Sequence, residues 1–176
     1  MRIKLRLTLT QHATLEAHLF PGDGLEAVAV AICGRRRSEE HHCLTVRSIV
    51  PIPYDECRVR TPDRVTWSTQ RLIPLLEEAA RNDSAILKIH SHPGGYAQFS
   101  SVDDESDSDL FNSVFGWTDS HFPQASAVML PGADQSFLLE EVEVDAGLVS
   151  VLVSVFPESL DSDFDPFESD LEPPRP

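Results

Sequence analysis

Residues 85–104 read AILKIHSHPGGYAQFSSVDD, and the fold turns on how this stretch divides. AILKIH is a short, mostly apolar run of strand length, which predicts a β-strand. Side chains at i and i+2 of a strand point to the same side, so His90 and His92 project together from its carboxyl end. That end is where α/β proteins commonly place ligand sites. Pro93, Gly94 and Gly95 then permit a sharp turn. Ser100 and Ser101 precede an acid-rich segment, 103–109, that leads to Leu110 and Phe111. Serine followed by acids is a helix start, which sets Asp103 in a first helical turn.

Upstream, Ile3, Leu5, Leu7 and Leu9 alternate with Lys4, Arg6 and Thr8, the pattern of a half-buried strand. Leu15 and Leu19, with Ala13 near them, predict a short helix over 11–20, ended by the PGDG turn at 21–24. LEAVAVAIC, 25–33, is an apolar run expected as a strand buried on both faces. GRRRSEEHH reads as a polar turn, and Leu44, Val46 and Val50 mark a further strand closed by PIP at 51–53. Residues 54–66 read as a loop, and 68–82 as a helix with Ser68 as N-cap. Pro74 inside that helix requires either a later start or a kink. Downstream, 125–130 is a strand, 137–144 its expected hairpin partner through the PGAD turn, and 147–156 a candidate last strand. This order of mixed strands and helices implies an α/β or α+β domain with one sheet. The expected domain spans 1–156. Residues 157–176 carry seven acidic residues, one Arg and five prolines, and are expected as a disordered tail.

With 176 residues and 41% hydrophobic composition, the chain suits one domain with a real core. A formal net charge of -15 argues against nucleic-acid binding, which needs clustered Lys and Arg, and against adsorption to an anionic membrane. The amino terminus shows no continuous apolar h-region, and no run approaches ~18 apolar residues. Cys33, Cys43 and Cys57 form no CxxC pair, so reduced thiols and a cytoplasmic location are expected.

Two neutral imidazoles on one side of a strand are compatible metal ligands. Adding Asp103 makes a set with one open position, which favours zinc. Zinc lowers the pKa of a bound water to about 7, and a carboxylate must then accept and return the proton. Glu26, after the PGDG turn and at the start of a buried strand, is the candidate. Ser100 can steady an oxyanion with its hydroxyl. Each residue also has a plainer reading. Asp103 and Asp104 can simply charge a helix amino terminus, Glu26 can face solvent, and Ser100 can be only a cap. Tyr96 and Phe99 either pack beside a scissile bond or fill their own loop. Trp117 and His121 either line the opposite wall or are structural.

The string His90-Ser91-His92, seven residues, Ser100, two residues, Asp103 resembles the JAMM signature of the JAB/MPN metalloprotease family. The upstream Glu of that signature matches Glu26 in LFPGDGLEAVAVAICG, and the resemblance spans roughly 5–131. It implies a cytidine-deaminase-like fold, a curved mixed β-sheet flanked by helices. It implies one Zn2+ per chain on His90, His92 and Asp103, with Glu26 as general acid/base and Ser100 at the oxyanion. The implied activity is hydrolysis of the amide after the carboxy-terminal glycine of a ubiquitin-like protein, in deconjugation or precursor maturation. Similarity to bacterial JAB domains that accompany ThiF-type adenylating enzymes implies that enzyme, and a conjugating enzyme, as partners, in a conjugation pathway or antiphage defence. The alternatives are a zinc amidase on a small peptide or carrier-protein substrate, and a non-catalytic interaction module. The substrate groove is expected at the edge of the 41–50 strand and the 54–66 loop.

Overall fold

A computed structural model describes residues 2–37, 41–132, 142–143 and 148–153. The acidic segment 157–176 and most of 137–144 lie outside the described residues. The elements run β1 (Arg2–Arg6), α1 (Leu9–Leu19), β2 (Val28–Arg37), β3 (His41–Pro51), β4 (Cys57–Thr61), β5 (Arg64–Trp67), α2 (Leu72–Asn82), β6 (Ala85–Ser91), α3 (Ser101–Thr118), β7 (Gln124–Met129), β8 (Val142–Glu143) and β9 (Leu148–Val153). Seven strands form one mixed sheet in the order β8-β1-β3-β2-β6-β7-β9, and β4 and β5 form a separate hairpin. This is the α+β class expected.

The 25–33 run is buried on both faces, as its composition requires, and its alternation sorts the two cores. Val28, Val30 and Ile32 face α2 and α3, joined by Ile86, Leu110, Phe111 and Val114. Ala29, Ala31 and Cys33 face α1, joined by Leu5, Leu15, Leu19, Leu44 and Leu87. Burying one large side chain such as Phe111 contributes about 2–3 kcal/mol, so the first layer holds α3 against the sheet and the second holds α1.

Several expectations change. Gly34 to Arg37 are not a turn but continue β2, pairing antiparallel with His42–Thr45. Charge does not forbid a strand whose backbone is laddered. Arg35 and Arg37 find partners across it, Arg35 at the Pro123 carbonyl and Arg37 at Asp83. Leu9 opens α1 and is 60% exposed, because Thr8 and Gln11 close a capping box there. The 54–66 loop contains the β4–β5 hairpin, with Thr61 paired to Arg64. The helix expected at 68 begins at Leu72 after a 3-10 turn over Thr69–Arg71. Pro74 therefore lies in the first turn, where a missing N–H costs nothing, and Ser68 makes no side-chain cap bond. β7 pairs in parallel with β9, not with 137–144. Of that segment, Val142–Glu143 pairs with β1 instead. Finally, β3 is an interior strand between β1 and β2, so its 41–45 edge is not open to a peptide.

Candidate metal centre

Register brings the upstream Glu to the histidines. β2 and β6 are antiparallel with Val28 opposite His90. One step on, Ala27 meets Ser91: the Ser91 N–H donates to the Ala27 carbonyl at 3.0 Å, and the Ala27 N–H donates to Ser91 Oγ at 2.9 Å. A further step puts Glu26 across from His92, with Glu26 Oε1 3.7 Å from His92 Nε2. Ser91, which sequence reasoning left without a role, ties the two segments together. The hairpin grips the same point, since the Glu26 N–H donates to the Thr61 carbonyl at 2.9 Å and Arg60 Nε donates to the Glu26 carbonyl at 2.9 Å. Arg60 is anchored in turn by Asp23, at 2.6 Å, and lies over the Tyr54 ring.

Asp103 arrives from the other side. Gly95, at φ 77, makes the turn after Pro93 that non-glycine residues resist. Ser100 caps α3 in a capping box with Asp103. Asp103 Oδ1 lies 3.1 Å from His90 Nε2, and Oδ2 lies 3.5 Å from His92 Nε2. The two histidine Nε2 atoms are 3.1 Å apart. Ser100 Oγ donates to Asp103 Oδ2 at 2.7 Å, so its hydroxyl proton is engaged by the cap. Asp103 thus serves the cap and faces both histidines in one geometry, while the Ser100 hydroxyl is turned to Asp103.

The electrostatics divide the roles. Burial pushes the His90 imidazole below its ordinary value, against the pull of Asp103. At His92 burial also acts downward, but the contacts with Asp103, the Tyr96 carbonyl and Glu26 raise it on balance. Burial would lift the Asp103 carboxyl, but hydrogen bonds with His90, His92 and Ser100 hold it well below the usual carboxylate range. Glu26 is 3% exposed. Burial above all, with the Asp103 charge beside it and His92 opposing, pushes it up to about 7.

These side chains fit a metal. His92 Nδ1 is 2.8 Å from the Tyr96 carbonyl, which can only accept, so Nδ1 carries the proton. When His92 is neutral, it turns a bare Nε2 lone pair toward His90 and Asp103. Tetrahedral ligands about 2.0–2.1 Å from one ion lie about 3.3 Å apart, and the three separations straddle that value. All three residues offer ligand atoms within 4.8 Å of one another.

Phe99 meets the His90 ring edge-on at 5.9 Å and Tyr96 stacks on His92 at 6.2 Å, so both aromatics brace the ligands. A groove of about 730 Å³ is lined by His90 and Asp103 together with β5, Ile73, Val102 and Trp117. His121 does not reach it. It lies in the α3–β7 connection at the opposite end of the sheet, next to Phe122, which stacks under Arg37. One further contact escaped sequence reasoning: Lys88, on the wholly buried β6, pairs with Asp107 on α3 at 2.5 Å. Its signal was a lysine inside an apolar run.

The cysteines take no part. Cys33 is buried, which pushes its thiol up to about 12, and all three cysteines are free. Among the described residues no helix is long and apolar enough to cross a membrane.

No curated protein sequence matches the chain. Residues 9–140, three quarters of its length, match the profile of the prokaryotic homologs of the JAB domain. That match covers Glu26, both histidines and Asp103, and with their convergence it supports a metal-dependent hydrolase of the peptidase type. By this match, the chain belongs to the family of prokaryotic JAB domain homologs.

Proposed function

We propose that this protein is a zinc-dependent peptidase that cuts the amide after the carboxy-terminal glycine of a ubiquitin-like protein. It would act in deconjugation or precursor maturation within a bacterial ubiquitin-like conjugation pathway, with antiphage defence as one setting. A ThiF-type adenylating enzyme and a conjugating enzyme would supply the conjugates in the cytoplasm. The observation that carries this reading is Glu26 facing His92 across the strand pair, beside the His90, His92 and Asp103 group and its groove.

His90, His92 and Asp103 would hold the ion. When bound, zinc supplies Lewis-acid polarisation of the scissile carbonyl and brings a water to a pKa of about 7. Glu26 would take a proton from the attacking water as its oxygen bonds to the carbonyl carbon. As the C–N bond breaks, Glu26 returns that proton to the leaving nitrogen, so a carboxylate and an amine depart. Ser100 has one hydroxyl hydrogen, now on Asp103. Turning it toward the carbonyl oxygen would give the tetrahedral species a donor.

The groove supports an extended, thin substrate. Among the described residues β5 pairs only with β4, and Arg64–Trp67 line the groove. A Gly-Gly tail has no side chains to clash and can pair by its backbone along such a strand. Trp117 and Ile73, exposed on the facing walls, offer apolar surface for the residues before it.

The test is intact-mass spectrometry of a ubiquitin-like fusion carrying a short extension after its Gly-Gly, incubated with zinc-loaded protein. A cut after the second glycine is expected, and none with Glu26→Ala. Short peptides cut as fast as folded fusions would instead establish the small-substrate amidase. Zinc-loaded protein inert on a panel of fusions and peptides would overturn the peptidase reading.

A further inference from the structure

The metal ligands sit on two elements, and a second buried contact joins the same two elements one step deeper. Lys88 lies two residues before His90 on β6, so both face α3. Asp107 lies four residues after Asp103 on α3, so both face β6. His90 meets Asp103 at 3.1 Å and Lys88 meets Asp107 at 2.5 Å. The spacings match: two strand residues advance about 6.6 Å and four helical residues about 6 Å. The result is a ladder of two rungs between β6 and α3, the helix running back against the strand. Lys88 is 4% and Asp107 1% exposed.

Stability alone is a weak account of such a pair, because a buried ion pair is often no better than apolar residues of the same volume. Register is a stronger one. The apolar contacts of Leu110, Phe111 and Val114 are non-directional and tolerate a small slide of the helix. A buried charge pair does not. A slide of one residue, about 1.5 Å along the axis, would displace Asp107 from Lys88 and Asp103 from His90 together.

We infer that Lys88 and Asp107 form a positioning pair that holds α3 at the register in which Asp103 joins His90 and His92. Neither residue is a ligand. Their contribution is to preset the ligand spacing before metal arrives, so the inference rests on the metal-centre reading above.

The experiment is a zinc titration of the full chain against a chromophoric chelator, beside thermal unfolding of the zinc-free protein. The apolar double variant Lys88→Met/Asp107→Leu is expected to fold with a Tm near that of the parent and to bind zinc about tenfold more weakly, the low end of what losing a group that directly orients a ligand costs. Asp107→Glu, which keeps the pair, is expected to stay within about threefold of the parent, well short of that loss. A folded double variant that binds zinc as tightly as the parent overturns the inference. Should the double variant not fold, Asp107→Asn at a temperature where it is folded takes its place, with unchanged affinity again overturning the pair's role. His90→Ala separates the two readings. If parent zinc binding survives it, the metal centre is elsewhere and both readings fall. If His90→Ala abolishes binding while the double variant keeps it, only the positioning pair falls.

Discussion

Charge gathers beyond both ends of the β2–β6 pairing, and the two ends treat it in opposite ways. At the Arg35–Arg37 end, Arg37 pairs with Asp83 and stacks on Phe122, and Arg35 reaches the Pro123 and Ser84 carbonyls. Arg35 and Arg37 there meet an anion, a carbonyl or a π face. At the other end, two carboxylates and two imidazoles converge within a few ångströms, and Lys88, which lines the groove with His90 and Asp103, is committed to Asp107. One end is electrically closed upon itself. The other gathers lone pairs and negative charge around a common point and raises Glu26 to about 7. Buried charge by itself does not mark a functional site. An excess of one sign, with ligand atoms gathered at one point, is what separates the candidate metal centre from the closed end.

That contrast can be broken in order of expected effect. Glu26→Gln should lower hydrolysis of a ubiquitin-like fusion by about 10²–10⁴-fold, the range of a general base, with zinc still bound one to one. Loss of zinc in step with activity would move Glu26 from the chemistry to the ligand shell.

Next in size is a pH effect on the zinc-free protein. Glu26 is raised in the folded state from 4.5 to about 7, so between those values the folded protein keeps a proton that the unfolded chain has released. Its contribution to stability therefore falls as pH rises across that window, by up to about 3 kcal/mol. Urea unfolding at pH 5 and pH 7.5 should show Glu26→Gln losing this fall. Equal differences in both proteins would show that Glu26 is not the buried acid.

Arg60→Ala removes the donor that braces the Glu26 carbonyl and the anchor to Asp23. A fall of about tenfold in kcat is expected, since small misplacement of a reacting group is costly, with KM and zinc affinity little changed. A pure KM effect would assign Arg60 to substrate contact.

The smallest effect belongs to the closed end. Arg37→Ala should cost about 1 kcal/mol from the lost ion pair and ring contact, measured by thermal unfolding. Zinc affinity should not move, and a shift there would deny that the two ends are independent.

Short-range rules made half the site legible. The strand period aligned His90 with His92, and the helix-start pattern put Asp103 in the first turn of α3, because both depend on residues a few positions apart. The 25–33 strand was legible for the same reason. The 54–66 hairpin was not, since its strands are short and polar. The continuation of β2 through Arg35–Arg37 was missed because cationic composition resembles a turn until a partner strand supplies the ladder. The pairing of β9 with β7 and of β8 with β1 followed from no local pattern.

By itself the sequence determined the ligand spacing, the cap that Asp103 shares with Ser100, and the apolar alternation that makes β2 a two-sided strand. These are properties of backbone periods and local hydrogen bonds. Only the tertiary structure decided that Glu26 stands opposite His92, that Arg60 and Thr61 hold it there, and that Lys88 meets Asp107. Each of these depends on strand register or helix docking between segments 19 to 66 residues apart, which is set by the packing of the whole sheet and its two cores.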